Sequence, residues 1–266
     1  MEMKARDELA ALFGNIVAEA GELITAMQPS DSGARRKADG SPVCRADLEA
    51  EALILARLAA VMPGVAVFAE ESFAPARVGG VPERCLLVDP LDGTREYLAG
   101  HSDFTVNIAL IEAGDPVVGA ICAPGRHQVY VGGATAFAAE LAADGTLPGD
   151  ALQPIATRAV PDAGLHALAS RSHMNPQTEH WLLQGGVAAL DRVGSSLKFC
   201  LIARGHADVY PRLAPTMEWD TAAGHAILNA AGGCVLAPNG SPLRYGKQDA
   251  GFKNAGFIAW GRKPIG

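Results

Sequence analysis

Three short acidic motifs contain the side chains of this sequence that are best suited to chemistry. They are Glu70-Glu71, residues 89–94 with the sequence DPLDGT, and residues 218–220 with the sequence EWD. The first two follow short apolar segments and the third stands at the start of a predicted helix, so their carboxylates can face one cleft. Carboxylates, with a backbone carbonyl and water, are the oxygen ligands that Mg²⁺ prefers. The motifs therefore predict a magnesium site.

Gly93 and Thr94 add an anion-binding element to the second motif. If a helix begins there, its free N–H groups and the positive end of its dipole face the same cleft. Such an arrangement binds phosphate. Carboxylates that hold metal beside these N–H groups are suited to phosphoryl transfer, because bound cations neutralise the phosphate and activate water.

Each motif taken alone also has a simpler structural explanation. An acidic pair such as Glu70-Glu71 is usually solvated surface, and an Asp such as Asp220 before a helix is usually a cap that contributes about 1 kcal/mol. In the same way Lys198 and Arg212 could be surface charges, and His173 a structural hydrogen-bonding residue. The DPLDGT string has few such explanations, so it carries the prediction.

Composition limits the partners of this chain. Its 266 residues allow one large domain or two modest ones, and the 49% apolar and 19% charged residues are typical of a folded protein. The net charge is −7 and the basic residues are scattered, which argues against a nucleic-acid polymer as partner. An anionic small molecule remains compatible, because bound metal ions can invert the sign of an acidic cleft.

The cysteines and the N-terminal residues favour a cytoplasmic location. The five cysteines are odd in number and form no CxxC pair, which fits free thiols in a reducing compartment. The first ten residues mix acids and bases, unlike a signal peptide. No uninterrupted apolar run of about 18 residues is present, so we expect no transmembrane segment.

The elements that must position the motifs differ between the two halves of the chain. Helical spacing predicts helices over residues 7–27 and 47–61, and five apolar runs between residues 65 and 131 predict a mainly antiparallel sheet with a hairpin turn at 112–115. The polar residues 29–45 predict a mobile loop or loose hairpin.

After residue 150, strands and helices alternate. We predict strands at 165–169, 208–210 and 256–260 and helices at 176–184, 196–203 and 221–231. The turn-rich residues 141–152 mark a domain boundary. An N-terminal α+β domain, residues 1–150, would carry most metal ligands, and a C-terminal α/β domain, residues 151–266, would carry Asp220 and the substrate-binding residues.

The motifs resemble the signatures of the inositol monophosphatase superfamily. Those signatures are matched in the right order by AEES at 69–72, DPLDGT at 89–94 and WDTAAG at 219–224. A narrower similarity, to 3'(2'),5'-bisphosphate nucleotidases of the CysQ type, is carried by residues 89–110, SRSH at 170–173, GSSLKFCL at 194–201 and DVYPR at 208–212. The resemblance covers nearly the whole chain.

The resemblance implies both a fold and an activity. The fold is the layered αβαβα sugar-phosphatase fold, which combines α+β and α/β arrangements. The activity is Mg²⁺-dependent hydrolysis of adenosine 3',5'-bisphosphate (PAP) to AMP and phosphate in sulfur assimilation, with the sulfated nucleotide PAPS as a further candidate substrate.

The resemblance also implies roles for individual residues. Two or three Mg²⁺ ions would be held by the carboxylates of Glu70, Asp89, Asp92 and Asp220 and the backbone carbonyl of Leu91. Asp47 and Thr94 would orient and deprotonate the attacking water, and one ion held by Glu70 and Asp89 would lower the pKa of that water. The amides of Gly93 and Thr94 would hold phosphate, and the substrate would further be bound by His173, Ser195, Lys198, Arg212 and Asp220.

Two positions depart from the family pattern. Ala69 stands where many relatives have Gly or Ser, and Cys44 stands where they usually have Thr. The change at Ala69 removes no ligand. If the Thr hydroxyl helps to hold Asp47, we expect the Cys44 thiol to hold it less well.

Two other functions remain open at this point. An inositol monophosphatase or a fructose-1,6-bisphosphatase-like sugar phosphatase would share every metal ligand and differ in the second half. A metal- or nucleotide-binding regulatory protein on the same scaffold would be non-catalytic, which the intact acidic motifs disfavour. Similarity to the nucleotidases also leaves open a peripheral association with the cytoplasmic face of the inner membrane, and oligomeric state is not predicted.

Overall fold

The outer layer of the fold is a pair of long helices. The computed structural model describes residues 1–27, 33–37, 40–74 and 80–262. Helix α1 (Met3–Ala26) and helix α2 (Arg45–Val61) pack on each other, and α1 also packs on the first sheet. Both helices were predicted from the hydrophobic periodicity of the sequence, and the prediction is confirmed because their buried residues recur at helical spacing. By length and composition α1 could cross a membrane, but 56% of that window is buried. A core helix passes the same test, so the expected absence of a membrane span stays a prediction.

The first sheet has seven strands in chain order. Its strands are β3 (Ala66–Ala69), β4 (Arg84–Asp92), β5 (Thr105–Glu112), β6 (Asp115–Ala123), β7 (Gln128–Gly132), β8 (Ala136–Glu140) and β9 (Gln153–Pro154). Only β3 and β4 are parallel, so the predicted mainly antiparallel sheet is confirmed. Ala113 and Gly114 form the expected hairpin turn, both with positive φ.

The second sheet is mixed and has five strands. Its spatial order is β11 (Val187–Val193), β10 (Leu165–Ser170), β12 (Val209–Arg212), β16 (Phe257–Trp260) and β14 (Cys234–Leu236). The accompanying helices are α4 (Pro176–Gln184), α5 (Leu197–Ala203) and α6 (Ala222–Ala230). The short elements are β1 (Arg35–Arg36), β2 (Pro42–Val43), α3 (Thr94–Leu98), β13 (Thr216–Met217) and β15 (Lys253–Asn254).

The two sheets are joined through the middle helices. Helix α6 lies against β5, β6 and β7 on one side and β14 on the other, while α5 contacts β12 and α4 covers the outer face of the second sheet. The order of layers is therefore α1/α2, first sheet, α5/α6, second sheet, α4, which confirms the αβαβα arrangement. Helix α6 comes this close because Gly119 and Gly132 face it: a Cβ at Gly132 would lie 2.5 Å from Ile227 Cα. The apolar cluster between the sheets contains residues from both halves.

Several short or exposed strands were missed by the sequence patterns. Strand β11 is an edge strand whose residues are mostly exposed, so it lacks the apolar alternation that marks a strand. Strands β8, β9, β13, β14 and β15 are short and are defined by their partners. β1 and β2 confirm the loose hairpin around residues 35–43, whereas residues 28–32 and 38–39 of that stretch lie outside the described residues. The boundary at 141–152 stays a prediction.

Candidate active site

Three carboxylates from separate segments meet at one end of the first sheet. Glu70 follows β3, Asp89 lies in the neighbouring parallel strand β4, and Asp220 precedes α6. Pairing of the two strands continues past β3, because the Glu70 amide donates to the Val88 carbonyl at 3.1 Å. Each of the three acids places a carboxylate oxygen within 4.8 Å of those of the other two. We call Glu70, Asp89 and Asp220 the acidic corner.

The second acidic motif is strand rather than turn, which corrects the expectation that its carboxylates follow a strand. β4 runs through Asp92, and its pairing with β5 shifts register between Asp89 and Asp92. The Leu91 amide bonds Asp89 Oδ1 at 3.1 Å, and the Leu91 carbonyl accepts from Thr94 Oγ1 at 3.2 Å. Pro90 is tolerated in this strand because it lies at the register shift, where no N–H donor is required for pairing with β5.

The acidic corner fits a divalent cation. Asp89 is 1% exposed, and its Oδ2 has no hydrogen-bond partner among the described residues. Burial raises the pKa of Glu70 to about 8, with repulsion from Asp220 adding to it. Burial and the charge of Glu70 likewise raise the pKa of Asp89 well above its ordinary value. Buried carboxylates that repel one another, with one oxygen of Asp89 left without a partner, are stabilised by a cation that takes oxygen ligands.

Asp92 lies beside the acidic corner, but its carboxylate is not one of the three whose oxygens lie within 4.8 Å of one another. Its Oδ2 accepts the Ser196 amide at 2.5 Å, which ties β4 to the start of α5. Burial raises the pKa of Asp92 to about 7, with the charge of Asp220 adding to it and that of Lys198 opposing it. The structure therefore places three of the four predicted carboxylate ligands together, and the fourth within electrostatic range of them.

Asp47 is connected to the cleft through Thr94. Thr94 Oγ1 lies 2.9 Å from Asp47 Oδ1, and Asp47 itself is 1% exposed at the third position of α2. The other carboxylate oxygen accepts from the backbone amide of Cys44 and from its Sγ, both at 2.8 Å. The thiol therefore occupies the capping position that a Thr hydroxyl would fill, and the Cys44 substitution leaves Asp47 held from two sides.

Gly93 is the N-cap residue of the short helix α3 and lines the cleft with Thr94. Its φ is +95°, a backbone conformation that side-chain-bearing residues rarely adopt, which explains the glycine after Asp92. The five-residue helix confirms the expected helix start next to the acidic corner.

Four predicted substrate-binding residues of the second half line the same cleft. They are His173, Ser195, Lys198 and Arg212, which we call the distal set. The cleft has a volume of roughly 240 Å³ and includes every residue of the acidic corner. Both halves of the chain thus contribute to one cleft, which contains acidic and basic side chains.

Lys198 is not a surface charge. It is 1% exposed, and its ammonium group donates to the carbonyls of Val193 at 3.1 Å and Ser195 at 2.5 Å. It also lies 4.8 Å from the centre of the Tyr210 ring. Burial lowers the pKa of Lys198 to about 7, while the negative charge of Asp92 opposes that shift.

The other members of the distal set differ in whether their polar groups have hydrogen-bond partners. The buried Nε of Arg212 has no hydrogen-bond partner among the described residues, whereas one terminal nitrogen donates to the Pro215 carbonyl at 3.2 Å. Burial, with the charge of Arg212, lowers the pKa of His173, whose Nδ1 lies 3.5 Å from Ser170 Oγ. Ser195 has φ of +50°, a strained conformation that is common at binding sites.

Lys37 is a residue of the site that the sequence patterns missed. Its Nζ lies 2.6 Å from carboxylate oxygens of both Glu70 and Glu71. Burial would lower the pKa of Lys37, but the charges and hydrogen bonds of Glu70 and Glu71 together outweigh it, and the pKa is raised. The only sequence feature that pointed to Lys37 was the basic composition of residues 35–37. Hydrophobic periodicity assigns no role to such a polar stretch.

Comparison with known proteins agrees with this geometry. The model of the inositol monophosphatase family matches residues 4–260. The chain belongs to the inositol monophosphatase family. A 3'(2'),5'-bisphosphate nucleotidase CysQ of Salmonella typhimurium is 42% identical over 222 residues, which cover 84% of this chain and 86% of that protein.

Solved structures of this family share the fold. The crystal structure of CysQ from Bacteroides thetaiotaomicron matches with a TM-score of 0.80 and 36% identity, over 95% of this chain and 97% of the other. An inositol monophosphatase from Anabaena matches with a TM-score of 0.74 over 96% of this chain and 91% of the other, but at 23% identity it is evidence for the fold alone.

Proposed function

We propose that this chain is a Mg²⁺-dependent 3'(2'),5'-bisphosphate nucleotidase that hydrolyses PAP to AMP and phosphate. The observation that carries the proposal is a single cleft lined both by the acidic corner and by the basic side chains of Lys198 and Arg212. A phosphate that is to be removed needs the acidic corner with its cations, and a second phosphate needs the cationic groups of the distal set. The similarity to CysQ nucleotidases over more than four fifths of the chain supports the same substrate.

Two or three Mg²⁺ ions, held by Glu70, Asp89, Asp92, Asp220 and the Leu91 carbonyl, would supply charge neutralisation and an acidified water. Asp89 and Glu70 fit this role because burial and neighbouring carboxylates raise the pKa of both, although Glu70 also contacts Lys37. Asp92 would adjust from its present hydrogen bond with Ser196 or bind through its second oxygen.

The protein's own groups account for the proton transfer. Thr94 Oγ1, 2.9 Å from Asp47 Oδ1, orients the attacking water, and Asp47 receives the proton through the Thr94 hydroxyl. Burial raises the pKa of Asp47, which makes it a better base than an exposed Asp. The start of α3 at Gly93 and Thr94 would hold the oxygens of the scissile phosphate.

The distal set would hold the remaining phosphate of the nucleotide. Arg212 is suited to it because its buried Nε lacks a partner and guanidinium forms charged hydrogen bonds with phosphate. Lys198 would contribute its charge from the floor of the cleft, while Ser195 and His173 would donate to phosphate or ribose. A substrate with a single phosphate leaves these groups unused.

The proposal is tested by phosphate release from a panel of substrates with the purified full chain. The panel is PAP, PAPS, inositol monophosphate and fructose 1,6-bisphosphate, each with Mg²⁺ and with EDTA. We expect kcat/KM to be highest for PAP, by more than about 100-fold over inositol monophosphate, because two charged hydrogen bonds contribute roughly 1.5–3 kcal/mol each. EDTA should abolish release. A higher kcat/KM on either sugar phosphate would assign the chain to that alternative instead, and no release would favour a non-catalytic role.

A variant of Arg212 sharpens the same test. Arg212→Met should reduce kcat/KM for PAP much more than for inositol monophosphate. Arg158→Met is the matched control, because Arg158 pairs with Asp208 away from the cleft. Equal losses on both substrates in the Arg212 variant would contradict a second phosphate site.

A further inference from the structure

Asp103 is a buried carboxylate that contacts both halves of the molecule next to the cleft. It is 1% exposed and precedes β5. Its Oδ1 accepts from Arg126, with distances of 3.1 Å to Nε and 2.6 Å to the terminal nitrogen. Its Oδ2 accepts from Arg171 at 2.5 Å and from the Gly194 amide at 3.2 Å. One side chain thus joins the first sheet to two segments of the second half.

The first of these segments carries Ser195 and Lys198. Gly194 lies directly on Asp103: a Cβ at Gly194 would be 2.7 Å from the Asp103 carbonyl oxygen and 2.8 Å from its Cβ. The chain then enters the strained Ser195, and Ser196 bonds Asp92 through its amide. Because a side chain at position 194 would clash with Asp103, the loop that begins at Gly194 packs directly on Asp103 and is positioned by it.

The second segment carries His173. Arg171 follows the last residue of β10 and reaches Asp103, and Ser172 donates to Glu96 of α3 at 2.7 Å. His173 comes next and faces the cleft. The segment therefore has two attachments to the first half, and the one through Arg171 ends on the same carboxylate that holds Gly194.

We propose that Asp103 is a positioning residue that sets the separation between the acidic corner and the distal set. This inference rests on the proposed function, since it concerns substrates that must contact the acidic corner and the distal set at once. Asp103 does not line the cleft itself. It acts through Gly194 and Arg171, and its effect is largest for nucleotides that the distal set binds.

The test compares Asp103→Asn with Asp208→Asn in the full chain. Asp208 is a matched control: it is buried, accepts from Arg158 at 2.8 Å and 3.0 Å, and accepts the His166 amide at 2.8 Å, but it does not line the cleft. Both variants remove the charge of a buried Asp that is paired with partly exposed Arg side chains, so both lose stability. Only Asp103→Asn should change the geometry of the cleft.

The measurements are KM and kcat for PAP and for inositol monophosphate, with AMP binding in Mg²⁺ by calorimetry. For Asp103→Asn we expect KM for PAP to rise by about tenfold or more, since misplacement by about 1 Å has effects of up to 100-fold. Its kcat for PAP and its kcat/KM for inositol monophosphate should change little, and AMP affinity should fall. Asp208→Asn should leave all of these near the wild-type values.

The outcomes separate this inference from the proposed function. If the wild type neither hydrolyses PAP nor binds AMP, the proposed function fails. If the wild type does both, but the two Asn variants have the same KM and AMP affinity, the role of Asp103 is overturned. Should Asp103→Asn fail to fold, Arg171→Met retains the Arg126 pair, and an unchanged KM for PAP in that variant would overturn the role.

Discussion

The buried carboxylates of this protein occur in two contrasting environments. In the acidic corner, Asp89 has an oxygen without a partner, and burial together with neighbouring negative charge raises its pKa. In the second half, Asp208 is equally buried, but the Arg158 guanidinium and the His166 amide outweigh the effect of burial and lower its pKa. Burial of an acid is therefore not by itself a sign of a site; a buried carboxylate oxygen without a hydrogen-bond partner beside other acids is.

The contrast identifies which buried charges lower the stability of the folded protein in the absence of a ligand. A buried charge with its partners satisfied contributes to the folded state, whereas unpaired ones destabilise it until a ligand arrives. Asp103 resembles Asp208 because it is paired with arginine side chains, but it lies next to the cleft. The following changes test the contrast, beginning with the largest expected effect.

Asp89→Asn should reduce kcat with Mg²⁺ by about 1,000-fold, because several kcal/mol of charge stabilisation are lost and each 1.4 kcal/mol or so is a factor of ten. Phosphate release under saturating PAP measures the effect. Asp208→Asn is the control and should retain most of its kcat. Near-normal turnover of the Asp89 variant would show that the acidic corner does not hold the catalytic cations.

Mg²⁺ should stabilise the wild type by about 2.7 kcal/mol at a concentration 100 times its dissociation constant, because it binds the folded state selectively. Thermal unfolding with Mg²⁺ and with EDTA measures this difference. The same comparison on Asp89→Asn should give a much smaller shift. An equal shift in both proteins would place the cation elsewhere.

Without metal, the two Asn substitutions should change stability in opposite directions. Asp208→Asn should cost about 2 kcal/mol, less than a fully buried pair, because the Arg158 side chain is 35% exposed and can reach water. Asp89→Asn should gain about 1 kcal/mol in EDTA, because it removes an unpaired buried charge. Urea unfolding measures both, and two losses of equal size would remove the contrast.

The stability lost in Asp208→Asn should depend on pH. The folded pKa of Asp208 lies below the ordinary value of 3.8, so its contribution is fully present above the unfolded value and is lost as pH falls through the folded pKa. The difference from wild type should therefore be constant above about pH 5 and shrink below about pH 4. Urea unfolding across this range would contradict the assignment if the difference instead grew on acidification.

Changes at Cys44 should have the smallest effects, because Asp47 is also held by the Cys44 backbone amide. Cys44→Thr retains a side-chain donor and should alter kcat by less than about threefold, whereas Cys44→Ala should lower it by up to about tenfold. Phosphate release measures both. A larger loss in the Thr variant than in the Ala variant would mean that the thiol has a role beyond its bond to Asp47.

Local patterns were sufficient for most of the elements. The long amphipathic helices α1 and α2, the apolar strands β3–β7 and the helix α4 were predicted because each buries a face whose spacing is visible in the sequence. The edge strand β11 and the two-residue ribbons were not, since partners elsewhere in the chain define them. The family resemblance supplied the order of the layers, which periodicity does not contain.

The sequence by itself determined the kinds of groups in the site, since the DPLDGT string, the acidic pair at 70–71 and the WD pair at 219–220 can be read locally. Only the tertiary structure decided which of them meet. It placed Asp220 against Glu70 and Asp89, buried Lys198 beneath the cleft, and gave Asp103 two arginine partners. The physical reason is that these contacts join residues tens to more than a hundred positions apart. Their distances are set by the packing of two sheets through α5 and α6, which no local spacing encodes.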